Sequence, residues 1–179
     1  MIIGIAGYKG SGKDTIANVL QKGFEFEKMS FAQPIKDIVH HTFGIDKAIL
    51  SGDNGDREFR ELSMPDWFYL SPRDMLQKIG MAFRDELHKD IWVKVLENKI
   101  KNTKKNIVIS DVRFKNELEM INNYGFCVGV KRPGHEGDEH RSEHALDDVA
   151  LPIVFKNDDT QAMLYAKAFN YFKDKLKWN

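Results

Sequence analysis

A glycine-rich loop near the start of the chain limits the possible folds more than any other feature. The apolar run of residues 2–6 is followed by GYKGSGK, residues 7–13, and then by Ile16, Val19 and Leu20 at helical spacing. This strand, loop and helix match the pattern G-x-x-x-x-G-K, whose backbone N–H groups and helix N-terminus bind phosphate. Glycine is needed because a Cβ would block positive φ angles and the close approach of a phosphate.

Asp14 is the position at which this loop departs from the usual pattern. A Ser or Thr normally follows the lysine and holds Mg²⁺, whereas here Asp14 follows Lys13 and Thr15 comes one residue later. A carboxylate is a hard oxygen ligand that suits Mg²⁺, and a bare triphosphate would repel it. We expect Asp14 to ligate the ion, directly or through water, or to orient an attacking acceptor.

The loop also predicts the residues that bind a nucleotide. Lys13 can reach the β- and γ-phosphates, and the hydroxyl of Thr15 can donate to a phosphate oxygen. A glycine-rich turn with a chance lysine is the alternative interpretation. The nucleotide-binding residues predicted from the loop are Gly7, Lys9, Gly10, Ser11, Gly12, Lys13, Asp14 and Thr15.

Composition argues against several other classes of protein. The chain has 179 residues, which suits a single domain. Its 27 Lys and Arg residues balance 27 Asp and Glu residues, so the protein has no overall positive electrostatic field that would attract nucleic acid. Its one cysteine, Cys127, excludes an intrachain disulfide, fits a reducing compartment and is expected to be a buried thiol. No segment resembles a signal peptide or a membrane span. We expect a cytoplasmic protein without nucleic-acid or membrane partners.

Strand-like and helix-like segments alternate along the chain, which predicts an α/β fold with a mainly parallel sheet flanked by helices. Ser71 is expected to cap a helix, with Asp74 three residues later. No regular structure is expected over 46–70. Strands are expected at 2–6, 106–110, 126–130 and 151–155, with a weaker one within 24–31, and helices at 14–22, from 33, and at 71–87, 90–101, 115–124 and 160–178.

The helix after Ser71 carries a polar stripe formed by Arg73, Gln77, Gly80 and Arg84. Arg73 lies near the helix N-terminus and can bind a monophosphate, Gln77 can hydrogen-bond a base, and Gly80 would leave space for that base. A solvated helical face is the alternative for this stripe, and it is the interpretation we favour for Arg84. Lys36 has a similar position at the start of the preceding helix, on its polar face.

Asp111 is expected at the end of a buried strand, where open α/β sheets bind ligands. We predict that Asp111 supports Mg²⁺ and that Arg113, two residues later, contacts an acceptor phosphate. A turn or capping aspartate is the alternative for Asp111. The polar segment 132–144 carries Arg132 and Arg141 and is either a lid or a solvated loop, and Ser142 is expected to cap a short helix.

Five sequence segments together resemble the deoxynucleoside monophosphate kinase family, best known from tailed bacteriophages. They are GKDT at 12–15, FAQPIK at 31–36, SPRDMLQKIG at 71–80, ISDVRF at 109–114 and HRSE at 140–143, and the resemblance runs from residue 2 to about 148. The loop alone is shared with other kinases, including phosphomevalonate kinase and dephospho-coenzyme A kinase. The segments between the loop and HRSE are therefore the ones that favour the deoxynucleoside monophosphate kinase family over these kinases.

The resemblance implies a P-loop NTPase fold of three layers, with a single kinase domain over 1–179. It also implies a helical acceptor-binding region over about 44–104 and a lid over 132–144, in which Arg132 and Arg141 add charge to the phosphates. The expected reaction is phosphoryl transfer from ATP, with Mg²⁺, to a deoxynucleoside monophosphate. Lys36, Arg73 and Arg113 would line the monophosphate site, and the resemblance further implies a homodimer.

Two other functions remain open at this point. The same fold serves kinases with other phosphorylated acceptors, such as another nucleoside monophosphate or phosphomevalonate. A nucleotide-binding switch or ATPase would share the loop, although the N-K-x-D motif of guanine-specific switches is absent from the sequence. Residues 157–160 are interpreted first as a segment that caps the last helix through Thr160 or Asp159, with a contact to the donor adenine as the alternative.

Overall fold

The computed structural model of the chain describes residues 1–52, 57–137 and 139–176. The chain divides into two compact units. One, here called the sheet unit, combines Met1–Ser30 with Ile100–Asn179, and the other, the helical unit, is Phe31–Lys99. The helical unit begins earlier than the helical region expected at 44–104, because the helix over residues 33–43 packs within it.

The sheet unit contains, within the described residues, five parallel strands in the order β2-β3-β1-β4-β5. The strand β1 lies at the centre, and all of its residues are buried, as expected for a strand covered on both faces. The predicted α/β fold with a mainly parallel sheet is therefore confirmed. The strands are β1 (Ile2–Ala6), β2 (Glu27–Met29), β3 (Ile107–Val112), β4 (Gly125–Lys131) and β5 (Val154–Lys156).

The helices complete the list of regular elements in the described residues. They are α1 (Lys13–Gly23), α2 (Gln33–Phe43), α3 (Lys47–Ser51), α4 (Arg57–Glu61), α5 (Pro72–Glu86), α6 (Ile91–Ile100), α7 (Lys115–Tyr124), α8 (Arg141–His144) and α9 (Gln161–Leu176), with a 3₁₀ turn at Pro65–Trp67. No described helix has the length and apolar character that crossing a membrane requires.

Helices cover both faces of the sheet. Alternate residues of a strand point to opposite faces. Ile3 and Ile5 of β1 pack in one core with residues of α1 and α9. Gly4, between them, faces α7, where a Cβ would lie 3.0 Å from Cγ2 of Ile121. This arrangement gives the three layers expected from the sequence.

The core of the sheet unit contains the residues that the helical spacing predicted. Ile16, Val19 and Leu20 of α1 are fully buried. Cys127 of β4 is also buried, and its burial raises the pKa of the thiol to about 12, as expected for an unreactive thiol.

The helical unit has a core of its own between α2, α3, α5 and α6. At the start of α5, Oγ of Ser71 accepts a hydrogen bond from the backbone N–H of Asp74 at 3.1 Å. Oδ2 of Asp74 accepts one from the backbone N–H of Ser71 at 2.9 Å. The predicted helix start, with both halves of a capping box, is confirmed.

Gly80 of α5 packs inside the helical unit. A Cβ at Gly80 would lie 3.1 Å from Cδ1 of Ile35, and Nε1 of Trp92 donates to the Gly80 carbonyl oxygen at 3.0 Å. The space beside Gly80 is therefore occupied by another helix. The expectation that this glycine leaves space for a base is wrong.

Three boundaries also differ from the sequence predictions. Residues 46–70 are more regular than expected, because they contain the short helix α3. The Asp46 carboxylate caps this helix by accepting a hydrogen bond from the N–H of Ala48 at 2.7 Å. Asp111 lies within β3, one residue before its end, and β5 begins at Val154 instead of residue 151. The turn-rich residues 53–56, Asp138 in the predicted lid, and the predicted helix end at 178 lie outside the described residues.

Candidate active site

The glycine-rich loop leaves the carboxyl end of β1 and enters α1 at Lys13. Gly7, Gly10 and Gly12 have φ angles of 151°, 78° and 108°, which other residues rarely adopt. A Cβ at Gly7 would lie 2.5 Å from the carbonyl oxygen of Val130 in β4. Contact with the neighbouring strand therefore requires glycine at the first position of the loop.

Lys13, the first residue of α1, has a buried side chain that reaches back to the start of the loop. Its Nζ donates to the carbonyl oxygens of Gly7 at 2.7 Å and Tyr8 at 2.6 Å. Burial, and secondarily the nearby guanidinium of Arg113, lowers the pKa of Lys13 to about 8. The ammonium is thus poorly solvated and bonded to two neutral carbonyl groups, while the nearby carboxylates act on it from farther away. In such an environment an anionic phosphate is strongly attracted.

Ser11 provides a second sign that the loop fits a phosphate group. The residue is fully buried, and its Oγ has no hydrogen-bond partner in the described parts of the chain. A buried hydroxyl without a partner costs about 1–3 kcal/mol, so it is retained where a ligand can satisfy it. Phosphate oxygens are acceptors for such a donor, and the N-terminus of α1 favours the same negative charge.

The two predicted Mg²⁺ residues are linked through β3. Asp14 is exposed, pairs with Nζ of Lys28 at 3.0 Å, and accepts from Oγ of Ser110 at 3.4 Å. Desolvation by the surrounding protein atoms opposes ionisation of Asp14, although its side chain reaches solvent, but Lys28 keeps the pKa of this carboxyl below its usual value. Asp111, next to Ser110, accepts from Oγ of Ser30 at 2.8 Å. The structure therefore brings Asp14 to the edge of the sheet that carries Asp111.

These carboxylates suit Mg²⁺ only in combination with a nucleotide. Among residues 1–52, 57–137 and 139–176, no group of three or more His, Cys, Asp or Glu side chains could hold a metal ion. Mg²⁺ commonly takes one or two carboxylates and completes its coordination with water and substrate phosphates. Asp14 and Asp111 match that donor set.

Arg113 is paired with a carboxylate that sequence reasoning missed. Nη1 of Arg113 donates to Oε1 of Glu143, whose side chain is fully buried. Oε2 of Glu143 also accepts from the backbone N–H of Lys9 in the loop at 2.8 Å. Burial opposes ionisation of Glu143, but Arg113 and the Lys9 N–H hold the pKa of Glu143 below its usual value.

The predicted lid residues lie beside the loop to different extents. Nη1 of Arg132 donates to the carbonyl oxygen of Gly10 at 3.4 Å, and a Cβ at Gly10 would lie 2.7 Å from Nδ1 of His135. Arg141 is the first residue of α8 and is exposed. His140, and not Ser142 as predicted, caps α8, because its ring accepts from the Ser142 N–H.

The predicted acceptor residues Lys36, Arg73 and Gln77 all belong to the helical unit. Nζ of Lys36, on α2, donates to Oγ of Ser51 at 3.2 Å. On α5, the side chain of Arg73 is 11% exposed and lies 3.7 Å from Glu61, and Gln77 follows one turn later. Gln77 is partly buried. The two α5 residues share one face of the helix, as predicted.

Comparison with known families shows to which protein family the chain belongs. A family model described as deoxynucleotide monophosphate kinase matches residues 1–67 and 57–168. The chain belongs to this family. It is therefore a P-loop kinase of deoxynucleoside monophosphates, and the resemblance drawn from its sequence segments is confirmed.

Two viral relatives agree with the family assignment. A protein of Acanthamoeba polyphaga mimivirus, described by its similarity as a deoxynucleotide monophosphate kinase, is 35% identical to the kinase, over 93% of each chain. The deoxynucleoside-5'-monophosphate kinase of Escherichia phage T5 is 25% identical, over 68% of this chain and 71% of the phage protein. Shikimate kinase of Aquifex aeolicus aligns over all of both chains with a TM-score of 0.49 and 11% identity.

Asn157 is a second residue of the kinase whose role sequence reasoning missed. The predicted cap is at Thr160, whose Oγ1 accepts from the Met163 N–H at 3.3 Å. Asn157 itself is buried, and its Nδ2 donates to the carbonyl oxygen of Ser11 at 2.9 Å. Gln161, in the first turn of α9, donates to Oγ1 of Thr15 at 3.3 Å. The segment before α9 and its first turn therefore contact the C-terminal part of the phosphate loop and the first turn of α1.

Proposed function

We propose that the kinase transfers the γ-phosphoryl group of ATP to a deoxynucleoside monophosphate, giving the deoxynucleoside diphosphate and ADP. The observation that carries this proposal is the buried Lys13 in a glycine-rich loop, to which Glu143 links Arg113 by accepting from the Lys9 N–H and from the Arg113 guanidinium. Two cationic groups at one site can hold two phosphates together against their repulsion. The product is a precursor for DNA synthesis.

On the donor side, the loop binds the phosphates of ATP. The backbone N–H groups of the loop and the Lys13 ammonium stabilise the charge of the transferred group, since they are fixed in place before the reaction. Arg132 and Arg141 add positive charge when the lid segment lies over the phosphates, and the closed lid excludes water. The donor residues are Gly7, Lys9, Gly10, Ser11, Gly12, Lys13, Asp14, Thr15 and Arg141.

Mg²⁺ would be held by Asp14 and Asp111 together with the donor phosphates. When bound, the ion neutralises charge on the β- and γ-phosphates. Ser110 and Ser30 orient the two carboxylates through their hydroxyl groups. Lys28, paired with Asp14, keeps this carboxylate ionised and so able to act as a ligand.

The acceptor side uses three cations. Lys36, Arg73 and Arg113 bind the monophosphate, and Gln77 hydrogen-bonds the base. The support for this assignment is the resemblance of the segments that carry these residues to the family to which the chain belongs. Because ATP and deoxynucleotides are cytoplasmic metabolites, we propose that the kinase acts in the cytoplasm, and in the host cytoplasm if a phage encodes it. The homodimer implied by the resemblance is tested by the mass of the protein in solution.

The first experiment measures ADP formation by the purified kinase with Mg-ATP and a panel of deoxy- and ribonucleoside monophosphates. We expect acceptor-dependent ADP and a matching deoxynucleoside diphosphate, identified by chromatography. The panel gives the base range and the preference for deoxyribose. ADP formation that does not depend on any acceptor would point to an ATPase or a switch and would overturn the proposed reaction.

Replacing Asp14 by Ser should weaken catalysis more than nucleotide binding. We expect kcat to fall about 100-fold, because a charged group at the reacting phosphates is lost, while the Kd for ADP changes by less than about threefold. A higher Mg²⁺ requirement would identify Asp14 as a metal ligand, whereas a change confined to the acceptor KM would identify it as the orienting group. Asp174→Asn, an exposed change on α9, is the control. Unchanged turnover in Asp14→Ser would remove Asp14 from the mechanism.

A further inference from the structure

Glu143 connects two parts of the active site that are far apart in the sequence. Its carboxylate accepts from the backbone N–H of Lys9, 134 residues away, and pairs with Arg113, 30 residues away. The side chain has no exposed surface. A fully buried carboxylate is stable only where donors surround it, so both contacts contribute to keeping it charged.

The backbone on either side of Arg113 is fixed separately. Oε2 of Glu117, which is buried in α7, accepts from the N–H of Arg113 at 2.7 Å and from the N–H of Phe114 at 3.1 Å. Glu117 therefore holds the main chain where β3 turns into α7. The direction of the Arg113 guanidinium is then determined mainly by its own partner, Glu143.

The short segment around Glu143 has further contacts with the start of the phosphate loop. The Tyr8 hydroxyl donates to Oδ1 of Asp147, and the ring of Tyr8 lies 5.8 Å from that of His144. Oδ2 of Asp147 lies 2.8 Å from Nδ1 of His144. A Cβ at Gly137 would lie 3.0 Å from both Tyr8 and Glu143. These contacts attach the α8 segment to the loop at two consecutive residues, Tyr8 and Lys9.

We propose that Glu143 is a positioning residue of the kinase reaction, which holds the Arg113 guanidinium in a fixed place relative to the phosphate loop. Glu143 itself does not touch the substrate in this proposal. It acts through Arg113, which meets the acceptor phosphate, and through the Lys9 N–H, which fixes the loop. The inference rests on the proposed function, because it assigns Arg113 to the acceptor.

The substitution Glu143→Gln removes the negative charge of this side chain and keeps its size and shape. The amide oxygen of the new side chain can accept one hydrogen bond, but its NH₂ group would face a second donor. The backbone N–H of Lys9 is fixed by the loop, so we expect the more mobile Arg113 side chain to be the partner that is released. Glu143→Gln should therefore loosen Arg113 while the fold is retained.

The test is a double-mutant cycle with Glu143→Gln, Arg113→Ala and the combined variant. We expect Glu143→Gln to raise the Kd of a deoxynucleoside monophosphate about tenfold and to lower kcat by 10- to roughly 100-fold. The Kd of ADP, measured by calorimetry, should change by less than about threefold. In the Arg113→Ala background the same Gln substitution should have almost no further effect, because the group that it positions is already gone.

Two controls make the result specific. Glu119→Gln removes the same charge from an exposed position on α7 and should behave like the wild type. Glu143→Asp keeps the charge on a shorter side chain and should recover part of the lost affinity. Melting temperatures of all variants separate a loss of positioning from a loss of folded protein.

Three outcomes would overturn the inference. One is a Glu143→Gln variant with wild-type monophosphate affinity and kcat. Another is full additivity with Arg113→Ala, which would indicate a purely structural role. The third is a wild-type chain that forms no ADP with any monophosphate, since this would overturn the proposed function and the inference with it. An active wild type with unaffected Glu143 variants overturns the inference alone.

Discussion

Replacing Lys13 by Met should lower kcat about 10³-fold and raise the KM for ATP, which is the largest effect on activity that we expect from a single substitution. The Met side chain occupies a similar volume but supplies no charge to the transferred phosphoryl group. Lys13 is buried, so a bulk-solvent cation cannot easily replace it. The measurement is steady-state ADP formation with an accepted deoxynucleoside monophosphate.

The same residue should give the reaction a pH limit on the alkaline side. Burial lowers the pKa of Lys13 from 10.5 to about 8 in the free kinase, and Arg113 adds to this shift, while Glu143, Asp14 and Asp111 act in the opposite direction. Below this pKa the ammonium is charged, and above it the neutral amine attracts phosphate poorly. We therefore expect kcat/KM for ATP to fall as the pH rises through about 8.

Lys22→Met is the matched control for both measurements. Lys22 lies in the last turn of the same helix, and its side chain is exposed. This variant should keep the wild-type kcat and the same alkaline limit. A Lys13→Met variant with turnover close to that of the wild type would contradict the role given to the loop lysine, as would a wild-type profile without a fall near pH 8.

The parts of the site that could be predicted from the sequence are those with local signals. The loop 7–13 follows a buried strand and precedes a helix, so strand, spacing and glycines all lie within one short segment. The start of α5 is similar, because Ser71 and Asp74 are only three residues apart and exchange hydrogen bonds between side chain and backbone. Such patterns depend on neighbouring residues, which a single sequence shows directly.

The contacts that could not be predicted depend on chain segments far apart. Glu143 meets Lys9 across 134 residues, and Asn157 meets Ser11 across 146 residues. In the sequence, Glu143 lies in a charged segment that suggests solvent, and nothing local shows that its donors come from the loop and from β3. The hydrogen-bonding capacity of Asn157 likewise fits a helix cap as well as a loop support.

Gly80 shows how a helical stripe can mislead. Its spacing with Arg73 and Gln77 is correct, yet the space beside it belongs to Ile35 of the neighbouring helix. Periodicity predicts which residues share a face, but not which element covers each part of that face. For the same reason, the joint role of Lys36, Arg73 and Gln77 at an acceptor remains a prediction.

Gly7→Ala should have the largest effect on stability among the loop substitutions. The new Cβ would lie 2.5 Å from the carbonyl oxygen of Val130 and 2.8 Å from Oγ of Ser11, at a φ of 151°. The Val130 oxygen belongs to β4, which is paired on both sides in the sheet, and cannot move away easily. We expect the free energy of unfolding to fall by about 3 kcal/mol, from strain and overpacking together. The Kd of ADP should rise at least about tenfold, because the loop must shift.

Gly44→Ala separates the two causes of this loss. Gly44 also has a positive φ, 72°, but a Cβ there would meet no atom within 4 Å. Its substitution should therefore show only the conformational term, about 1 kcal/mol, with unchanged nucleotide affinity. Chemical denaturation of both variants measures the difference. Equal losses at the two glycines would mean that backbone conformation alone, and not the approach of β4 to the loop, requires glycine at the start of the phosphate site.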